Sequence, residues 1–216
     1  MGGRRGEMGA MENGDSGPAV TVDEALKLLS DGNWRFQSGM TMGLNRTTMR
    51  RQEVAAGQRP FAAVVGCSDS RVPPELIFDV GLGDLFVVRA AGNVLDEAGL
   101  GSLEYAAGHL GVGIVVVLGH TDCGAVRAAL SGTRFGGHLS YITGALGQAM
   151  EDTAGVGDPL ARCTLANISS VMEKIKNTGP VLSRLCAEGT LAVRGALYDL
   201  ETGAVDFLPE EPMESF

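Results

Sequence analysis

The chain has 216 residues, 44% of them hydrophobic and 20% charged, enough for one domain with a real core. Its formal net charge of -9 speaks against non-specific nucleic-acid binding, which needs a cationic surface. No apolar stretch is long enough to cross a bilayer as a helix, so neither nucleic acid nor membrane is expected as a partner.

Residues 1–20 read as a disordered leader. They carry Arg4 and Arg5 but no apolar segment of the kind a secretory signal needs, and a cytoplasmic protein is expected. Thr21-Val22-Asp23-Glu24 has the form of a capping box. A helix should follow through Phe36 and stop near Gly39, with Leu26 and Leu29 on an apolar stripe. It stands outside the strand–helix alternation that comes later, so it is expected to pack on something other than its own sheet. A second, basic helix is expected over 47–57, ending at Gly57 ahead of Pro60. Residues 21–59 thus read as an N-terminal helical arm.

From residue 60 the pattern is regular. "FAAVVG" reads as a buried strand, "PPELIFDVG" as a short helix or turn, "LFVVRAA" as a strand and "AGLGSLEYAAGHLG" as a helix. "GIVVVLGH" is the clearest buried strand, with its run of β-branched residues. A helix over "CGAVRAALSG" and a glycine-bearing loop follow, then helices over 160–189 broken at Pro180. "LAVRGALYDLETGAVDFL" reads as two strands around a turn at Glu201-Thr202-Gly203. The expected fold is α/β: a mostly parallel central sheet flanked by helices, with a C-terminal edge strand, spanning 60–208, and a tail over 209–216.

Chemistry-bearing residues gather at strand ends. Cys67 ends the first strand, and His120 and Cys123 follow the third, three residues apart across a turn. Ligand sites in open parallel sheets lie at the carboxyl ends of strands, so both segments can face one crevice. Two thiolates and one imidazole form a soft set that favours zinc, and three protein ligands leave a fourth position open, as a catalytic zinc requires. Asp69 could fill that position itself. Arg71 offers the competing fate, a bidentate pair that holds Asp69 off the metal. Singly, each feature has a plain reading: a strand-end cysteine is usually core, and a D-x-R pair is usually a surface salt bridge. Together, at two strand ends of one sheet, they point to a site.

With these residues in hand, the chain resembles the β-class carbonic anhydrases. "CSDSR" and "GHTDCG" are similar to that family's paired zinc motifs, and the likeness runs from residue 21 to about 208. The resemblance implies zinc-dependent reversible hydration of carbon dioxide to bicarbonate and a proton, by attack of zinc-bound hydroxide. It implies one Zn2+ per chain on Cys67, His120 and Cys123, with Asp69 and Arg71 as the catalytic dyad. It places Gln58, Phe86, Ala91 and Tyr105 at substrate-contacting positions, the small Ala91 implying a slightly wider pocket. Val64 stands where one subgroup has the tryptophan of a non-catalytic bicarbonate site, so that site is not expected. The resemblance also implies self-association as a dimer or tetramer, the N-terminal helix lying over the partner and the sites at the interface.

Two other functions remain open: hydrolysis of carbon disulfide or carbonyl sulfide on the same scaffold, and a non-catalytic zinc or redox module using Cys67 and Cys123. The Asp69–Arg71 pair argues against the second, which has no need of it. Blander roles are expected elsewhere: packing or capping for His109, loop exposure for His138, core burial for Cys163 and Cys186, a turn for Asp122, and a solvated or dimer-facing patch for Arg46, Arg50 and Arg51.

Overall fold

The computed structural model describes residues 20–150 and 157–209. The expected leader and tail lie outside the described residues except at Val20 and Pro209. Five strands form one sheet: β1 (Ala62–Cys67), β2 (Leu85–Ala90), β3 (Ile114–His120), β4 (Ala192–Tyr198) and β5 (Val205–Phe207), in the order β2-β1-β3-β4-β5. The first four are parallel, and β5 closes one edge antiparallel to β4. Every residue of β1 and β3 is buried. That two-sided burial is why both strands read as unbroken apolar runs rather than alternating ones.

On one face Ala63, Val65, Val115 and Val117 pack with Leu103 of α4 (Glu97–Gly108) and Ile168 of α7 (Pro159–Asn177). On the other, Ala62, Val64 and Val116 pack with Ile77 of α3 (Pro74–Ile77) and with α1 (Val22–Gln37). The capping box of α1 is formed: Thr21 Oγ1 accepts from the Glu24 N–H at 3.3 Å, and Glu24 Oε2 accepts from the Thr21 N–H at 2.9 Å.

The home of α1 corrects the sequence reading. Ala25 and Leu29 are fully buried against the chain's own sheet, and removing the Leu29 side chain from water stabilises by roughly 1.5–3 kcal/mol. Asn33 fixes the docking: its Nδ2 donates to the carbonyls of Ile77 and Gly203, and its Oδ1 accepts from the Val205 N–H. Gly32 allows the close approach, because a Cβ there would stand 1.8 Å from the Phe78 carbonyl oxygen. Leu28 and Trp34 of the same helix remain exposed.

The basic helix appears as α2 (Thr48–Glu53), extended by one 3-10 turn. Arg46 and Arg50 are partly exposed, but each is also bonded to the main chain. Arg46 donates to the carbonyls of Val80 and Glu75, and Arg50 to that of Leu82, with Asp84 beside it. Both hold the segment before β2 in place. A second correction concerns the expected glycine-bearing loop, which contains a helix, α6 (Leu139–Met150). The remaining helices are α5 (Gly124–Leu130) and α8 (Val181–Ala187).

Candidate active site

Parallel register carries the ends of β1 and β3 to one place. Gly66 lies level with Leu118, so Cys67 closes β1 beside the residues that end β3. Asn93, held at a positive φ of 58°, donates through Nδ2 to the carbonyls of both Val65 and Leu118, tying the two strand ends together. Cys123 then caps α5. As a result the ligand atoms of Cys67, His120 and Cys123 all lie within 4.8 Å of one another, and all three residues are buried.

The histidine is set for ligation. His120 Nδ1 stands 2.8 Å from the Thr121 carbonyl oxygen, which assigns the ring proton to Nδ1 and leaves the lone pair on Nε2. Thr121 is itself fixed: its N–H donates to the Tyr198 carbonyl and its Oγ1 accepts from the Leu200 N–H. Nε2 is buried without a hydrogen-bond partner among the described residues, and an orphaned buried acceptor demands an explanation. A metal ion shared with the two sulfurs supplies one, so the residues fit zinc.

The three side chains also compete for protons. Cys67 is held well below the ordinary thiol range, first by the hydrogen bond from Cys123 and then by His120 and the N–H groups of Asp69 and Gly92. Cys123 is pushed up because it keeps the shared proton and is buried. Burial opposes charge on His120, but its contacts with Cys67 outweigh this and raise its pKa.

The main chain also prepares the sulfur. The N–H groups of Asp69 and Gly92 point at Cys67 Sγ at 3.4 and 3.3 Å. Gly92 sits at φ 64°, a conformation that favours glycine. A Cβ there would meet the Leu146 side chain of α6 at 2.8 Å. Asn167 of α7 holds the Gly92 carbonyl at 2.8 Å. Leu146 and Cys163 pack with both ligand sulfurs, so Cys163 is a core thiol. Gly92→Ala is expected to displace α6 and weaken zinc retention, read as zinc per chain after dialysis; retention equal to the parent's would show that this contact is slack.

Asp69 and Arg71 form a closed pair. Arg71 Nε donates to Asp69 Oδ1 at 2.9 Å and its terminal nitrogen to Oδ2 at 2.7 Å, while the Arg71 backbone N–H adds a third bond to Oδ1 at 3.0 Å. The guanidinium holds the Asp69 carboxyl well below the usual carboxylate range, although burial opposes it. Asp69 Oδ2 nevertheless stands only 4.0 Å from His120 Nε2. The carboxylate thus faces the ligand cluster while belonging to Arg71. A cleft of about 640 Å³ opens along Arg71 and Thr121, with Asp122 and Tyr198 also in its wall.

The family model described as "Carbonic anhydrase" matches residues 62–205, and the solved structures that superpose are β-carbonic anhydrases. This chain belongs to the β-class carbonic anhydrase family. "Carbonic anhydrase 2" of Mycobacterium tuberculosis is 41% identical over 193 residues, covering 86% of this chain and 92% of the relative. Among solved structures, a Coccomyxa β-carbonic anhydrase superposes with a TM-score of 0.69 at 26% identity, covering 87% of each chain. A tetrameric β-carbonic anhydrase of Sordaria macrospora gives 0.66 at 30% identity, covering 73% of this chain and 85% of the other.

The other family positions are scattered. Ala91 adjoins Gly92 at the cluster. Phe86 pairs in register with Ala63, four residues before Cys67, hence about 13 Å away along the strand. Tyr105 stacks near Phe86, ring centroids 6.3 Å apart, and Gln58 precedes β1 altogether. Within one chain, these three lie toward the opposite end of the sheet from the metal ligands. His109 caps the end of α4, its ring 5.5 Å from that of Tyr105. Asp122 occupies a positive-φ turn and pairs with Arg127. Sequence reading passed over Asn93, Asn167, Leu146 and Arg89. Only Arg89 left a signal, a cation inside the apolar run "LFVVRAA".

Proposed function

We propose that this chain catalyses the reversible hydration of carbon dioxide to bicarbonate and a proton, with zinc held by Cys67, His120 and Cys123. Bound there, zinc supplies a Lewis acid that makes hydroxide available near neutral pH. The observation that carries the reading is the Asp69 carboxylate, forked by Arg71 yet 4.0 Å from the unpartnered His120 Nε2. Ionised, Asp69 is an acceptor only. It takes a hydrogen bond from the attacking oxygen and so aims that oxygen's remaining lone pair at the substrate carbon. Arg71 keeps Asp69 charged and turned. A non-catalytic thiol module has no use for this fork.

Gln58, Phe86 and Tyr105 fit the substrate role in an assembly. β2 is an edge strand, and a two-fold axis that sets two copies of β2 side by side runs them antiparallel. The start of one β2 then lies beside the end of the other, which brings Phe86 of the partner subunit toward this chain's site. Exposed Leu28 and Trp34 offer further apolar surface for a second copy. Self-association as a dimer or tetramer follows from this reading. A cytoplasmic location, where reduced thiols persist, suits Cys67, Cys123, Cys163 and Cys186, which form no disulfide among the described residues.

Stopped-flow hydration of carbon dioxide tests the function. The zinc-loaded chain is expected to be active, to lose activity on chelation and to regain it when zinc is restored. Full zinc occupancy with no carbon dioxide hydration at alkaline pH would refute the reading, and turnover of carbon disulfide in its place would identify the alternative substrate.

A further inference from the structure

Arg89 lies on β2 level with Gly66 of β1, and its side chain reaches beyond the end of that strand. Its Nε donates to the Cys67 carbonyl at 2.8 Å, and a terminal nitrogen donates to the Asp69 carbonyl at 2.7 Å. One planar guanidinium therefore grips two carbonyls two residues apart, one on a metal ligand and one on the dyad carboxylate's residue. We propose that Arg89 is a positioning residue for the reaction above: its double grip on the main chain sets where the Asp69 carboxylate stands relative to the metal ligands.

The local bonds of Asp69 cannot do this alone. Its fork with Arg71, and the bond from the Val72 N–H to its carbonyl at 3.1 Å, all lie within residues 69–72. They make that turn a unit, which also meets β1 through the buried Val72 side chain and the Asp69 N–H that points at Cys67 Sγ at 3.4 Å, neither of which holds the Asp69 carbonyl to the strand. Cys67 is attached, through the pairing of β1 with β2 and the Ser68 N–H bond to the Ala90 carbonyl at 3.2 Å. Arg89 adds the short bonds that tie the Asp69 carbonyl to that of Cys67 through one guanidinium. Lysine could reach one carbonyl as a point charge but cannot span both. An exposed arginine without such a role would tolerate replacement with little effect.

The inference rests on the carbon dioxide reading, and the test separates the two. Arg89→Gln and Arg89→Lys are made in the full chain, alone and with Asp69→Asn, and loaded with zinc. Arg89→Gln is expected to keep one zinc per chain and an unchanged KM while kcat falls about 10- to 100-fold, the scale on which supporting partners of metal sites act. Arg89→Lys should fall between, and it decides the matter if the glutamine variant does not fold. In the Asp69→Asn background the Arg89 change should cost nothing further, because it acts through Asp69. Visible absorption of the cobalt(II)-loaded proteins reads the same geometry without activity: Arg89→Gln should alter the parent's spectrum but leave that of Asp69→Asn unchanged. A kcat within twofold of the parent, losses that add to those of Asp69→Asn, or loss of zinc would each overturn the proposal. An inactive zinc-loaded parent would instead refute the carbon dioxide reading and leave the cobalt spectra to judge Arg89.

Discussion

Asp69→Asn should lower kcat/KM for carbon dioxide hydration by about 10- to 150-fold while zinc remains bound. The scale follows from losing one charge-assisted hydrogen bond of about 1.5–3 kcal/mol, at 1.36 kcal/mol per tenfold. The substitution keeps shape and volume, but an amide cannot accept on both sides. Its NH2 must face either Arg71, breaking the fork seen at 2.9 and 2.7 Å, or the ligand cluster, where it would donate to an oxygen that needs an acceptor. Either orientation removes the aim. None of the three buried ligands is touched, so metal content measured by atomic absorption should match the parent's. Full activity in this variant would remove Asp69 from the mechanism; lost zinc would make its role structural.

Arg71 and Asp69 also show what a sequence displays well. The dyad is local, two residues apart, and its bidentate geometry follows from that spacing. The ligands are almost as legible, because strand ends are marked by where the apolar runs stop, and a parallel sheet brings such ends to one side. Helix α6 was hidden because "SYITGALGQAM" carries little charge, and Gly144 and Gly147 read as loop punctuation. In the fold neither glycine has a neighbour within 4 Å of where a Cβ would stand, so packing does not demand them. The placement of α1 was illegible for another reason. Its stripe declares that something covers it, but the covering surface is fixed by Asn33 bonding to residues 44 and 170 positions away. Such pairings leave no periodic trace. Arg89 and Asn167 belong to this class too: each binds a main-chain carbonyl, which is present at every residue and therefore marks none.

Asp79 holds the arm by the same kind of bond and carries the largest expected effect on stability. Its side chain is fully buried and accepts from Arg35 Nε at 2.7 Å and from the N–H groups of Met42 and Gly43 at 2.9 and 3.0 Å, with Arg46 3.7 Å away. Burial alone would raise its pKa, but these partners outweigh burial and lower it. Asp79→Asn isolates the charge. The backbone there sits at φ 44°, which asparagine tolerates well, so the change adds no strain. It leaves Arg35 facing a neutral amide in a largely buried place, and removing one partner of such a pair costs about 3–5 kcal/mol. Urea unfolding at neutral pH should register that difference. Its pH dependence has a definite sign. A carboxylate whose folded pKa is depressed stabilises fully above its unfolded value, about 3.9, and loses that contribution as pH falls through the folded value. The gap between parent and variant should therefore be constant from neutral pH down to about 5 and narrow only below about 4. Zinc is common to both proteins and cancels in the comparison. A gap under about 0.5 kcal/mol at neutral pH, the range of ordinary surface changes, would mean that Leu29 and Asn33 dock α1 without help from this charge.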